Sequence, residues 1–182
     1  MPAWGSRLPA CPALRAWLTL PGSLSAELAR VFGPLAVQRR HQGQGRLRRD
    51  EAAALGLPAG RRVHVREVAL VCGGATLVRA RTVVARDAVK GAWRALKGLG
   101  SRPLAELLFH DHRVQRGAPV YAPIALERPG RRLADPWQRD AAPGWHGPRV
   151  WARRALYRRR GSRLLLTEVF APEVAQRRPA AR

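Results

Sequence analysis

VHVREVALVC, Val63 to Cys72, then Gly73-Gly74, then ATLVRARTVVA, Ala75 to Ala85, is the stretch that sets the fold class. Both runs are rich in β-branched residues, and a Gly-Gly pair between such runs predicts an antiparallel hairpin. Further on, RVWARRALYRRRGSRLLLTEVFAPE holds two more β runs around Arg160-Gly161-Ser162, a second hairpin. Helical patterns precede and separate these hairpins. In SLSAELARVFG, Ser23 is a candidate N-cap, Leu24, Leu28 and Phe32 share a face, and Gly33 marks the stop. RDAVKGAWRALKGLG, Arg86 to Gly100, spaces Val89, Trp93 and Leu96 as a helix does. SRPLAELLF predicts a short helix with Ser101 as cap and Pro103 in the first turn.

Other segments are plainer. Residues 39–62 are polar and basic with several glycines, and predict a loop with a helical turn around Asp50 to Leu57. PVYAPIALER predicts a strand, and RPGRRLADPWQRDAAPGWHGP a surface loop or flap. Hairpin, helices, strand and hairpin do not alternate as βαβ units. The expected fold is therefore α+β, a single domain with an antiparallel β-sheet and helices packed on one side. Residues 1–13 are expected to form a loose N-terminal arm, 14–174 the domain, and 175–182 a disordered basic tail.

The chain has 182 residues, 46% of them hydrophobic, which supports a buried core and excludes a disordered chain. Cys11 and Cys72 are too few and too far apart for a disulfide framework, and no zinc-ligand spacing accompanies them. CPALRAWLTLPG is too short and too broken to span a bilayer, so no signal peptide or membrane span is expected, and the expected location is cytoplasmic. The formal charge of +22 raises the question of nucleic acid. Of the 34 basic residues only Lys90 and Lys97 are lysines, a bias that reads as coding habit rather than selection for phosphate contacts. No nucleic-acid-binding motif is present, so no specific nucleic-acid partner is expected.

Glu168, in LLLTEVF, is the anomaly. Residues two apart in a strand share a face, so Glu168 stands with Leu164, Leu166 and Phe170, and the other face is equally apolar. A carboxylate there must find a cation, find donors, or protonate. Arg66 is its counterpart, on a stripe with Val68, Leu70 and Cys72, and its planar fork suits a small carboxylate. The two charges form a buried ion pair or line a polar pocket; an edge-strand Glu168 facing solvent is the third reading. His110-Asp111-His112 reads as a solvated cluster, not a metal site. Trp145-His146 and Trp151 read as core, and Arg158-Arg159-Arg160 as a solvated hairpin end. There is no nucleophile elbow, P-loop or GxGxxG.

Taken in order, VREVALVC, RARTVV, GSRPLAELLF and RRALYRRRGSRLLLTEVFAPE resemble chorismate lyase, from about Trp17 to Pro172. The resemblance implies an antiparallel sheet with an internal ligand pocket under helical flaps. It implies elimination of pyruvate from chorismate to give 4-hydroxybenzoate, the first committed step of ubiquinone biosynthesis, with no cofactor and no metal. It assigns Arg66 to a substrate carboxylate and Glu168 to the ring hydroxyl as the catalytic pair. Leu104 in RPL and Leu24 in GSLS become substrate-binding residues through their main chain; Leu24 stands where the family often has Met. Chorismate and 4-hydroxybenzoate are the expected partners of a monomer. The alternative is a non-catalytic binder or sensor of small aromatic acids on the same fold.

Overall fold

The computed structural model describes residues 2–125, 145 and 149–180. Its helices are α1 (Pro12–Leu18), α2 (Leu24–Phe32), α3 (Arg49–Leu55) and α4 (Ala105–Phe109). Its strands are β1 (Leu35–Arg46), β2 (Arg62–Cys72), β3 (Ala75–Ala85), β4 (Gln115–Arg116), β5 (Val120–Ala125), β6 (Arg149–Arg159) and β7 (Ser162–Phe170). All pair antiparallel in one sheet of order β1-β2-β3-β7-β6, with β4 and β5 end to end along the outer edge of β6.

Both hairpins form as the sequence predicts. Gly73 and Gly74 both take positive φ (56° and 79°), the backbone a tight two-residue turn needs. The second turn uses Arg160 at φ 47° and Gly161 at φ 74°. The hairpins lie next to each other because β3 pairs with β7, Ala80 opposite Glu168 and Thr82 opposite Leu166.

Each face of the sheet has its own core. On one, α1, α2 and the 86–109 segment cover Val68, Leu70, Val78, Leu164 and Phe170. Trp17, Leu28, Trp93 and Leu96 are fully buried here, and burying a leucine side chain contributes about 1.5–3 kcal/mol. On the other face α3 supplies Ala52 and Leu55 against Val63, Val65, Val83 and Leu165.

Four expectations change. Residues 39–46, expected as loop, continue β1, an edge strand whose exposed positions are polar apart from Ala36 and whose ladder is interrupted at Arg39/His41; exposed polar edges deter pairing with other chains. Residues 86–100 are consecutive turns ending in a 3₁₀ helix, Arg94–Gly98, not an α-helix. The Trp93 N–H bonds back to the Ala88 carbonyl at 2.9 Å, which breaks the four-residue ladder yet still buries Val89, Trp93 and Leu96. Ser101 does not cap α4, whose N-cap is Leu104. The ends are tied down. Gly5 exchanges two main-chain bonds with Tyr121 (3.0 and 2.7 Å), and α1 already begins at Pro12. Near the other end the Arg177 carbonyl accepts from Trp17 Nε1 at 2.7 Å, and the Ala180 N–H donates to Glu27 at 2.6 Å. Of the expected flap over 128–148, only Trp145 is described; it is buried, with Nε1 donating to the Thr76 carbonyl at 2.9 Å. The rest of that expectation lies outside the described residues. No helix among the described residues is long and apolar enough to cross a membrane.

Candidate active site

The sheet face under α2 and α4 encloses a cavity of about 530 Å³, counted to its mouth. Its floor follows from cross-strand order. One row runs Arg66, Thr82, Leu166, Ala155 from β2 to β6, and the next runs Val68, Ala80, Glu168, Arg153. Thr82, Ala80 and Ala155 are small, so the centre of the floor is low while long side chains rise at its sides.

Arg66, Glu168, Leu24 and Leu104 all line this cavity. The helix starts place the two leucines. Ser23 caps α2, its hydroxyl accepting from the Ala26 N–H at 3.2 Å, and Leu24 follows at once. Leu104 opens α4, its carbonyl accepting from the N–H groups of Leu107 (2.9 Å) and Leu108 (3.1 Å).

Arg66 is 1% exposed. Nη2 donates to the carbonyls of Gly100 (3.1 Å) and Arg102 (2.8 Å), and Nε is buried without a partner. No carboxylate among the described residues pairs with it. Burial, with repulsion from Arg39, pulls the guanidinium down to about 10, which leaves it cationic at neutral pH.

Glu168 does not pair with Arg66. Its Oε2 accepts from Arg153 Nε in a buried ion pair across β6 and β7. The pocket-wall reading of the two charges therefore prevails over a mutual ion pair, and Glu168 is not on a solvent edge. Arg153 also reaches the C-terminal carbonyls around α1, with Nη1 within 3.4 Å of Trp17 and Leu18 and 3.2 Å of Leu20. Burial opposes its charge, but Glu168 more than offsets this and holds the guanidinium above the ordinary arginine range. Tyr157 lines the cavity too. Burial, then the Glu168 charge, push its phenol up, so it is a donor at neutral pH.

Arg153 and Tyr157 are among the pocket residues that the sequence reading missed. Alternation was the available signal: Arg153, Ala155 and Tyr157 share a face of the strand paired with the one carrying Glu168. Asp111 Oδ2 accepts from Arg159 Nε at 2.8 Å, and no group of three or more metal-ligating side chains occurs among the described residues. Arg159 is accordingly not part of a solvated hairpin end; it also donates to the Ala92 carbonyl.

Comparison with known proteins bears on the fold and the family. Among solved structures, the "PhnF C-terminal domain" shares the fold, with TM-score 0.56 and 16% identity over 75% of this chain and 82% of that one. The ligand-binding domain of a putative GntR-family transcriptional regulator from Bordetella bronchiseptica aligns with TM-score 0.51 and 16% identity, covering 78% and 86%. A "Probable chorismate pyruvate-lyase" of Azoarcus sp. (strain BH72) is 40% identical, covering 88% of this chain and 85% of the relative. One of the same name from Aromatoleum aromaticum is 41% identical, covering 92% and 90%. The sequence profile described as "Chorismate lyase" matches residues 7–179, and the chain belongs to the chorismate lyase family.

Proposed function

We propose that this protein eliminates pyruvate from chorismate to give 4-hydroxybenzoate, with Arg66 and Glu168 as its catalytic residues. The observation that supports this most is the cavity itself. It sets a buried arginine without a carboxylate partner on one side and an arginine-held carboxylate on the other, in a chain of the chorismate lyase family.

In the reaction the C4–H bond and the C3–O ether bond break. The C4–H pair becomes the last ring double bond, and the ether pair leaves on the enolpyruvyl oxygen. A proton taken up at the methylene carbon completes pyruvate. Aromatisation drives the process, so the protein has mainly to position the ring and stabilise developing charge. Arg66 grips the ring carboxylate through the guanidinium N–H groups that its main-chain contacts leave free. Glu168 accepts a hydrogen bond from the C4 hydroxyl. With Oε2 held by Arg153, its role is to orient more than to remove a proton. Main-chain groups at Leu24 and Leu104 hold the ligand from the roof, and the apolar walls exclude water.

We place the reaction at the entry to ubiquinone biosynthesis, in the cytoplasm, carried out by a monomer. A strain lacking the protein should then need added 4-hydroxybenzoate to make ubiquinone. The direct test is incubation with chorismate alone. Equimolar 4-hydroxybenzoate and pyruvate should appear, the Arg66→Ala variant should lose this activity, and Glu168→Gln should keep measurable turnover. No product from the wild-type chain would overturn the proposal. A second reading, a binder of small aromatic acids, draws on the shared fold with a regulator's ligand-binding domain; it expects 4-hydroxybenzoate to bind while chorismate stays intact.

A further inference from the structure

The register of the sheet fixes where the polar groups of the cavity stand relative to one another. Glu168 lies two strands from Arg66, about 10 Å sideways, and one residue pair further along the strands. Tyr157 lies three strands from Arg66, displaced one residue pair the opposite way, opposite Leu164. A line from Arg66 to Glu168 therefore leaves Tyr157 on one flank. The other flank is bounded by Val68 and Leu70, which are apolar.

Tyr157 is 3% exposed and lines the cavity, and no described residue hydrogen-bonds to its hydroxyl. Facing the cavity, this hydroxyl is open to a ligand that can complete its bonding. Arg116 stands opposite Tyr157 on β4 and keeps positive charge on this flank. Its Nη1 donates to the Pro21 carbonyl at 3.0 Å, beside Gly22 in the cavity wall.

Chorismate laid along the Arg66–Glu168 line projects its enolpyruvyl group sideways, because C3 neighbours C4. That group carries an ether oxygen and a carboxylate. It cannot be satisfied by the Val68–Leu70 flank. We infer that Tyr157 is a substrate-contacting residue whose phenolic hydrogen is donated to the enolpyruvyl group, fixing which way the ring faces. This inference rests on the lyase reading of the same cavity. The phenolic proton stays on Tyr157. The hydrogen bond strengthens as negative charge gathers on the departing ether oxygen, so it acts on the transition state as well as on binding.

The product lacks the enolpyruvyl group, and this separates the role of Tyr157 from a structural one. In Tyr157→Phe, kcat/KM for chorismate should fall about 10- to 100-fold, the range for a lost hydrogen bond to a charged acceptor. The dissociation constant of 4-hydroxybenzoate should not change. Tyr157→Leu, which also removes the ring, should show the same split. Unchanged kcat/KM in Tyr157→Phe, with an active wild type, overturns the inference alone. Equal losses of kcat/KM and product affinity overturn it too, because the phenol would then face the part common to substrate and product. A wild type that binds 4-hydroxybenzoate but leaves chorismate intact removes the lyase reading and this inference with it.

Discussion

Replacing Arg66 or Arg153 by methionine should affect stability very differently, although both are buried on the same sheet face. Arg153 neutralises Glu168 and serves three carbonyls around the end of α1. Its loss leaves a carboxylate buried without a cation, a change that costs about 3–5 kcal/mol. For a chain of this size that is roughly 10–15 °C in Tm. Arg66 has no such partner. Burial, with repulsion from Arg39, lowers its pKa to about 10, a penalty on the charged form of roughly 3 kcal/mol before solvent screening reduces it. Against this stand its hydrogen bonds to Gly100 and Arg102. Each is worth about 1.5 kcal/mol, and both carbonyls lie in a surface turn where water can replace the guanidinium. The two effects nearly cancel, so Arg66→Met should shift stability by about 1 kcal/mol or less. Equilibrium urea unfolding of the ligand-free proteins measures both values. Repeating it with 4-hydroxybenzoate at about 100 times its Kd should add about 2.7 kcal/mol to the wild type and nothing to Arg66→Met. A loss in Arg66→Met as large as that in Arg153→Met would refute the reasoning, because Arg66 would then be holding the fold together rather than waiting for an anion.

Two further outcomes concern the opposite face and the edge. Burial disfavours the Asp50 carboxylate, but the Arg154 charge and hydrogen bonds from Arg154 and Trp4 outweigh it and hold the group below the ordinary carboxylate range. A folded value below the unfolded one gives stability that is complete above the unfolded value, near pH 4, and is lost as pH falls through the folded value. Asp50→Asn should therefore flatten the acid limb of a stability–pH profile, and an unchanged limb would discount the Asp50–Arg154 pair. At the edge, a Cβ on Gly45 would lie 2.7 Å from Val65 Cγ2. Gly45→Ala should cost about 1–3 kcal/mol by overpacking, read as a lowered urea midpoint with unchanged slope.

The strands were legible wherever one face had to be buried, because alternation and β-branching then leave a mark in the sequence. β1 left none. LAVQRRHQGQGR is polar along most of its length because as an edge strand it meets water, and polarity with glycine also describes a loop. The 86–100 segment shows the converse. Val89, Trp93 and Leu96 have helical spacing and are all buried, but spacing records which residues face the core, not which hydrogen bonds connect them. Successive turns satisfy the same pattern.

Glu168 and Arg66 were legible because each breaks an apolar stripe. Arg153 was not, because it sits among many arginines and abundance hides the one that matters. The structure separates them. Arg66, Arg81, Arg153 and Arg154 are buried, and those four are not the surface texture that a coding habit would leave. In β6 the consecutive pair Arg153-Arg154 sends one guanidinium to each face of the sheet. One meets Glu168 over the cavity; the other meets Asp50 at 2.7 Å, beneath the ring of Trp4 on the opposite face. Arg81 grips Glu51 at 2.6 Å and Glu67 at 2.7 Å in the same manner. Each acid is engaged by a rigid fork, which a lysine could not reproduce with the same geometry. Among these four, only Arg66 lacks a carboxylate from the protein. That asymmetry, invisible in a count of basic residues, is the physical reason to place the substrate's anion there.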